Sequence, residues 1–216
     1  CYFGSALKAD GVEALLDGLD AYTAMKSYPE TFGARVYKVS RDRQGTRLTH
    51  VKVTGGVLKA KQVLDNGEKV DQLRLDSGEQ FTMANEVPAG QVCCLKGPMT
   101  LSIHDGLGFE QPARTPVLSA CLSYCLIPPA GCDPFALYRQ LKQLEEEDPQ
   151  LHLQFHAPTQ EIRIQIMGSV QIEILKQLIA SRFHLDVEFD EGKINYKETI
   201  CEPVEGVGHY EPLRHY

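Results

Sequence analysis

The chain has no tryptophan among its 216 residues, only four methionines, and no apolar run near the ~18 residues that a membrane-spanning helix needs. No charged-then-apolar segment of signal-peptide type opens it. Its seven cysteines contain no C-x-x-C pair, and their odd number argues against a closed disulfide framework or a zinc ribbon. Cys121 and Cys125 share a strand-like run that would hold them roughly 13 Å apart, too far for a disulfide or a common metal. Small buried thiols in a reducing cytosol are expected, and with them a cytoplasmic location. No G-x-x-x-x-G-K-[ST] segment supplies a phosphate cradle. Asp105-Gly106-Leu107-Gly108 is too short for a dinucleotide loop, and no nucleophile-elbow context marks a Ser/His/Asp set.

What is present is an ordinary globular composition, 43% hydrophobic and 24% charged, on a scale of one large or two small domains. The chain opens on Cys1-Tyr2-Phe3, which reads as a strand cut in its middle and suggests a piece of a longer protein. The formal charge of -7 argues against a nucleic-acid partner, but it is an average. Residues 32–61 carry eight basic groups, Arg35, Lys38, Arg41, Arg43, Arg47, Lys52, Lys59 and Lys61, against the single acid Asp42. A basic segment on an acidic body steers an anionic partner to one face; a solvated sheet face is the alternative.

Residues 10–26 predict a helix capped by Asp10, with Val12, Leu15, Leu16 and Leu19 at helical spacing. Residues 32–104 alternate short β-rich runs (34–39, 48–53, 80–82, 91–95) with Gly, Pro and Asn-Gly turn signals, the pattern of a small antiparallel barrel. Gly106, Gly108, Pro112 and Pro116 mark 105–116 as an interdomain linker. Thereafter come a strand over 117–127, a helix opened by Asp133-Pro134, strands over 151–155 and 162–167, a helix over 170–182 with Ile174, Leu175, Leu178 and Ile179 inward, and a strand over 185–189. That order, β-α-β-β-α-β, predicts a ferredoxin-like α+β domain. Its candidate central strand, 161–167, has no aromatic residue on which to stack bases, so readout of RNA by this sheet is not expected. Glu145-Glu146-Glu147-Asp148 reads as a solvated helix end. The histidines of 209–215 lack the helical spacing of a zinc pair, and no metal site is expected. No converged titratable set supports a stand-alone enzyme.

Several segments, in their order, resemble a known family. Cys1-Tyr2-Phe3-Gly4-Ser5-Ala6-Leu7 resembles the last strand of a translational GTPase domain, whose Ser-Ala pair approaches the guanine base. Phe32-Gly33-Ala34-Arg35-Val36-Tyr37-Lys38, Arg47 to Leu58 and Pro88-Ala89-Gly90-Gln91-Val92 are similar to the barrel of elongation factor G. Glu147-Asp148-Pro149 and Tyr196-Lys197-Glu198-Thr199 resemble motifs around its third domain. Gly168-Ser169-Val170-Gln171-Ile172-Glu173 resembles the tetracycline-resistance ribosomal protection branch, which has Val-Gln at that helix. The resemblance implies a GTPase remnant over 1–28, a barrel over 29–110, a third domain over 111–190, and a linker into a fourth domain over 191–216. It implies ribosome binding, to small-subunit rRNA and ribosomal proteins, through the eight basic residues. Ser5, Ala6 and Leu7 are an orphaned guanine motif, and GTP with magnesium belongs to the parent; no cofactor, small-molecule substrate or catalysis is expected of these residues. A housekeeping elongation factor paralogue and a protein-only adaptor remain the alternatives.

Overall fold

The computed structural model describes residues 1–24, 26–78, 80–112, 118–196 and 198–208. The chain divides into two compact units, Cys1–Thr115 and Pro116–Tyr216.

The first unit opens with a single turn of 3-10 helix, Ala6–Lys8, and helix α1, Val12–Tyr22. Residues 1–4 pair with no strand; Ser5 makes only an isolated bridge to Asp10. Asp10 is not the cap of α1. Gly11 occupies that position with φ 73°, a left-handed conformation that favours glycine. Of the residues at helical spacing, Leu15, Leu16 and Leu19 are exposed.

Eight strands follow: β1 Gly33–Arg41, β2 Arg47–Gly55, β3 Val57–Lys59, β4 Gln72–Ser77, β5 Gln80–Ala84, β6 Glu86–Pro88, β7 Val92–Lys96 and β8 Gly106–Gly108. Six form one antiparallel sheet in the order β5-β4-β7-β2-β1-β8, and β3 pairs with β6. Along β2, Thr49, Val51 and Val53 are buried while His50, Lys52 and Thr54 are only partly so, the period-2 alternation of a half-buried strand. On β1 the register slips between Val36 and Lys38. The extra residue lets Val36 and Val39 both point to the core and leaves Tyr37 and Lys38 both outside. Val36, Val51, Val53, Leu58, Leu73, Val87 and Leu95 fill the interior. Each such side chain is worth about 1.5–3 kcal/mol of burial.

The expected linker begins too early. Gly106–Gly108 is a strand on the free edge of β1, and Leu107 is buried. Its glycines serve close approach of backbones: a Cβ on Gly108, whose φ is 64°, would lie 2.1 Å from the carbonyl oxygen of Phe32. Residues 113–116 of the expected linker lie outside the described residues.

The second unit contains β9 Leu122–Ile127, α2 Pro134–Glu147, β10 Gln154–His156, β11 Glu161–Ile166, α3 Val170–Phe183, β12 Glu188–Phe189 and β13 Lys193–Ile194. The sheet order is β10-β11-β9-β12, all antiparallel, and β13 pairs with the first residues of β9. So β9 and β10, joined through α2, are split by β11 between them. The Asp133 side chain accepts a hydrogen bond from the Phe135 N–H, and Pro134 occupies the first turn, as the sequence predicts. Leu137, Leu141 and Leu144 of α2, Leu175 and Ile179 of α3 and Ile162, Ile164 and Ile166 of β11 share one core. Ile174 is the exception to the expected inward set of α3; it is exposed.

The acidic helix end is built into the structure. Glu145 accepts from the Leu153 N–H at 2.8 Å and pairs with Lys142, and Glu147 takes a bidentate pair of bonds from Arg182 at 2.8 and 3.2 Å. Asp148 caps the following 3-10 turn, Pro149–Leu151, through the Gln150 N–H. A solvated end was the expectation; these carboxylates instead fasten α2 to its neighbours. The thiols also differ from expectation, since Cys93 and Cys94 are buried but Cys1, Cys121 and Cys201 are exposed. Residues 209–216, with their histidines, and Lys197 lie outside the described residues.

Candidate nucleic-acid interface

The eight basic residues do not form one patch. Arg35 and Lys52 face each other across the β1–β2 ladder, on the side of the sheet away from the core. Both are held: Arg35 Nη2 donates to Glu110 Oε2 at 2.5 Å, and Lys52 Nζ donates to the Gly90 carbonyl. Lys38, paired with His50 in the same ladder, is exposed. Arg41 ends β1, and Arg43 stands exposed in the β1–β2 turn. That turn is fixed by Asp42, whose Oδ1 accepts from the Gln44 and Thr46 N–H groups at 3.0 and 2.9 Å. Lys59 and Lys61 are exposed at and just after the end of β3, apart from the main sheet.

Arg47 is a correction. It lies on the inward face of β2 with Thr49 and Val51 and is 6% exposed. Its guanidinium donates to Thr49 Oγ1 at 2.9 Å, to the Pro98 carbonyl at 3.2 Å and to the Leu101 carbonyl at 2.5 Å. It holds the 98–101 segment to the sheet and offers no group to an external phosphate.

A groove of about 500 Å³ opens beside the β1–β2 turn, lined in part by Arg41, Arg43, Arg74, His50, Asp76 and Phe81. The Arg74 guanidinium lies over the Phe81 ring, 4.3 Å from its centroid, with Asp42 Oδ2 at 3.5 Å. Arg74 is buried beneath this contact, so of the pair the half-exposed Phe81 ring is the part open to a stacking ligand. Charge counting over 32–61 missed Arg74 because it comes from β4, and only the sheet order brings it here.

Three further groups meet on this face. Ser40 Oγ is 2.8 Å from His50 Nε2, and His50 Nδ1 is 3.6 Å from Asp76 Oδ2. Burial holds the His50 imidazole below its usual range, against the pull of Asp76 and with the help of Lys38. Burial, with the Asp76 charge, pushes the thiols of Cys93 and Cys94 up to about 12. Neither is a nucleophilic thiolate. No local motif joins Ser40, His50, Asp76 and Cys94, which come from four strands.

The orphaned guanine motif is a turn. The Ser5 carbonyl accepts from the Lys8 and Asp10 N–H groups, and Ala6 and Leu7 are exposed. A shallow concavity of about 260 Å³ includes Ser5 and Ala6, but nothing there resembles a phosphate cradle. In the second unit the Val170-Gln171 pair has a structural use. Gln171 accepts from the Met167 N–H at 3.1 Å and donates to Asp148 at 3.3 Å, so it pins the start of α3.

Residues 118–191 match the family model described as "Elongation Factor G, domain III". The likeness is to elongation factor G. Over 93% of its length the chain is 29% identical to ribosome-releasing factor 2, mitochondrial, of Drosophila yakuba. Over 97% of its length it is 27% identical to elongation factor G 1 of Syntrophomonas wolfei. It spans 31% and 32% of those relatives, about a third of each. A solved structure from Thermus thermophilus superposes on 83% of the chain with a TM-score of 0.68 at 24% identity, which speaks to the fold alone. The sequence matches thus agree on a likeness to elongation factor G and its relatives, strongest in description over 118–191, and the solved structure adds a shared fold. Among the described residues no helix is long and apolar enough to cross a membrane.

Proposed function

We propose that these residues are the translation-factor barrel (29–110) and ferredoxin-like third domain (111–190) of an elongation factor G-like translation factor, and that they dock on the ribosome. Residues 1–28 then close a GTP-binding domain, and 191–216 lead toward a fourth. The observation that carries the docking role is the exposure of Lys38, Arg43, Lys59 and Lys61 in a segment that is strongly basic within an otherwise acidic chain. In this reading the partner is small-subunit rRNA with its ribosomal proteins. GTP and magnesium are handled elsewhere in the full-length fold, and this chain neither binds nor hydrolyses the nucleotide.

The relatives reported above are a ribosome-releasing factor and an elongation factor, which fit a general translation factor and lend the tetracycline-protection type no support. The Val170-Gln171 pair is the feature that favours the protection branch, and its bonds to Met167 and Asp148 give it a helix-pinning role that needs no drug.

Cosedimentation with purified ribosomes at low salt, with and without competitor RNA, tests the docking. The chain is expected in the ribosomal pellet and to be released by the competitor. A chain left in the supernatant contradicts the proposal, and binding indifferent to RNA points to a protein-only adaptor.

A further inference from the structure

The outward face of the six-stranded sheet carries a convergence that ribosome docking does not use. His50 on β2, Cys94 on β7 and Asp76 on β4 stand on neighbouring strands. His50 and Cys94 are directly paired across the ladder, and Cys94 is paired on its other side with Arg74, two residues before Asp76. A ring nitrogen of His50, a carboxylate oxygen of Asp76 and Sγ of Cys94 all lie within 4.8 Å of one another.

We propose that His50, Asp76 and Cys94 form a binding site for a single zinc-like transition-metal ion, with water from the groove as the fourth ligand. One nitrogen, one oxygen and one sulfur ligand suit zinc or cobalt(II), whereas magnesium and calcium take oxygen ligands. Zinc bonds of roughly 2.0–2.3 Å in a tetrahedron put ligand atoms about 3.3–3.8 Å apart, so the site closes by about 1 Å on binding. Asp76 is the group able to move, because its side chain is 41% exposed.

The surroundings are arranged for the ion. Ser40 Oγ lies 2.8 Å from His50 Nε2; in the tautomer with the proton on Nε2, donated to Ser40, Nδ1, the nitrogen facing Asp76, is left as the ligand. Metal-bound imidazoles are oriented in this way by a partner on the far nitrogen. The charges balance: a dication meets the Asp76 carboxylate and the Cys94 thiolate, whose proton leaves to solvent as the metal–sulfur bond forms. Arg74 and Lys38 are nearby cations that work against the ion, and Asp42, 3.5 Å from Arg74, answers part of that charge. His50 and Asp76 line the groove of about 500 Å³, which gives entry. Cys93 cannot substitute for Cys94, since it points into the core cluster.

Cobalt(II) is the probe, titrated into the whole chain under reducing, chelator-free conditions. One equivalent should produce tetrahedral visible bands and a thiolate-to-cobalt charge-transfer band, both removed by zinc. Cys94→Ser should abolish the charge-transfer band, while Cys121→Ser, which changes an exposed thiol outside the site, should leave it. Asp76→Asn, at an exposed position that does not threaten folding, should weaken cobalt affinity by about tenfold or more and remove the rise in Tm that zinc gives the parent chain. Absence of the band at millimolar cobalt, its survival in Cys94→Ser, or unchanged affinity in Asp76→Asn would each overturn the assignment.

Discussion

Arg47 and Glu68 show what single charged side chains do in the first unit. Arg47 looks, in the sequence, like one more member of a basic strip. Its buried bonds to Thr49 and to two carbonyls make it a structural clamp instead. Arg47→Met should cost about 2–3 kcal/mol, because buried acceptors lose their donors. Urea unfolding of the first unit reads this, and ribosome cosedimentation by the folded variant should keep the parent's salt dependence. Glu68 is the acidic counterpart. Partial burial pushes its carboxyl up, but bonds from the Met99 N–H, from the Thr100 N–H and hydroxyl and from Asn66 outweigh this, and the net direction is down from 4.5. A folded-state value depressed below the unfolded one means stability that is present above about pH 4.5 and lost as pH falls through the folded value. Glu68→Gln should therefore cost about 1 kcal/mol near neutrality and flatten the fall in urea midpoint as the pH drops below about 4.5. An equal acid slope in both proteins would assign the slope to other carboxylates.

Gly106–Gly108 is the element whose local composition misleads. Glycines and prolines at 105–116 have the signature of a linker, yet the first of them lie in β8, where the neighbouring backbone leaves no room for a Cβ. Gly108→Ala decides between the two roles. In a linker it is neutral or slightly stabilising; with φ at 64° and Phe32 O in the way it should destabilise the first unit by more than about 1 kcal/mol, read from its thermal midpoint. The elements that were legible had period and punctuation together: β2 by its alternation, α2 by Asp133-Pro134 and its leucines, β11 by Ile162, Ile164 and Ile166. The three-residue strands β3, β6 and β8 are too short to show a period, and β4 interrupts its alternation with the buried Arg74. In α1 the leucine stripe is real as a pattern, but nothing among the described residues covers it. Of the candidate site, the basic segment was legible because charge is counted along the chain. Arg74, Asp76 and Cys94 were not, because their neighbours are set by the strand order β4-β7-β2, which follows from long-range pairing.

At the scale of the whole molecule, a net charge of -7 and a ribosome partner conflict only if charge is spread evenly. Long-range repulsion from the acidic remainder is screened beyond a Debye length of about 8–10 Å, while the exposed cations act at contact. The structure also lowers the number of cations that face solvent. Arg47 is buried, Arg35 is held by Glu110, Lys52 by Gly90, and Arg41 is only partly exposed; the members of the eight that stand exposed at the surface are Lys38, Arg43, Lys59 and Lys61. If each displaces a counterion from one phosphate, log K for ribosome binding should fall against log salt with a slope near -3, within the roughly 0.7–0.9 per contact known for nucleic acids. Reversing these four to glutamate should remove most of the binding and flatten the slope, with little loss of fold stability, because exposed ion pairs contribute about 0–1 kcal/mol. The control is charge reversal at the exposed Arg139 and Lys193 of the second unit. Lys142 and Lys176 are unsuitable, since they are bonded to Glu145 and Glu188 and their loss would disturb the second unit itself. A larger loss from the first set than from the second places the contact on the barrel. Equal losses, or binding that ignores salt, would show the basic segment to be a solvated face, and docking would then have to be sought on the groove around Arg74 and Phe81 or on the second unit.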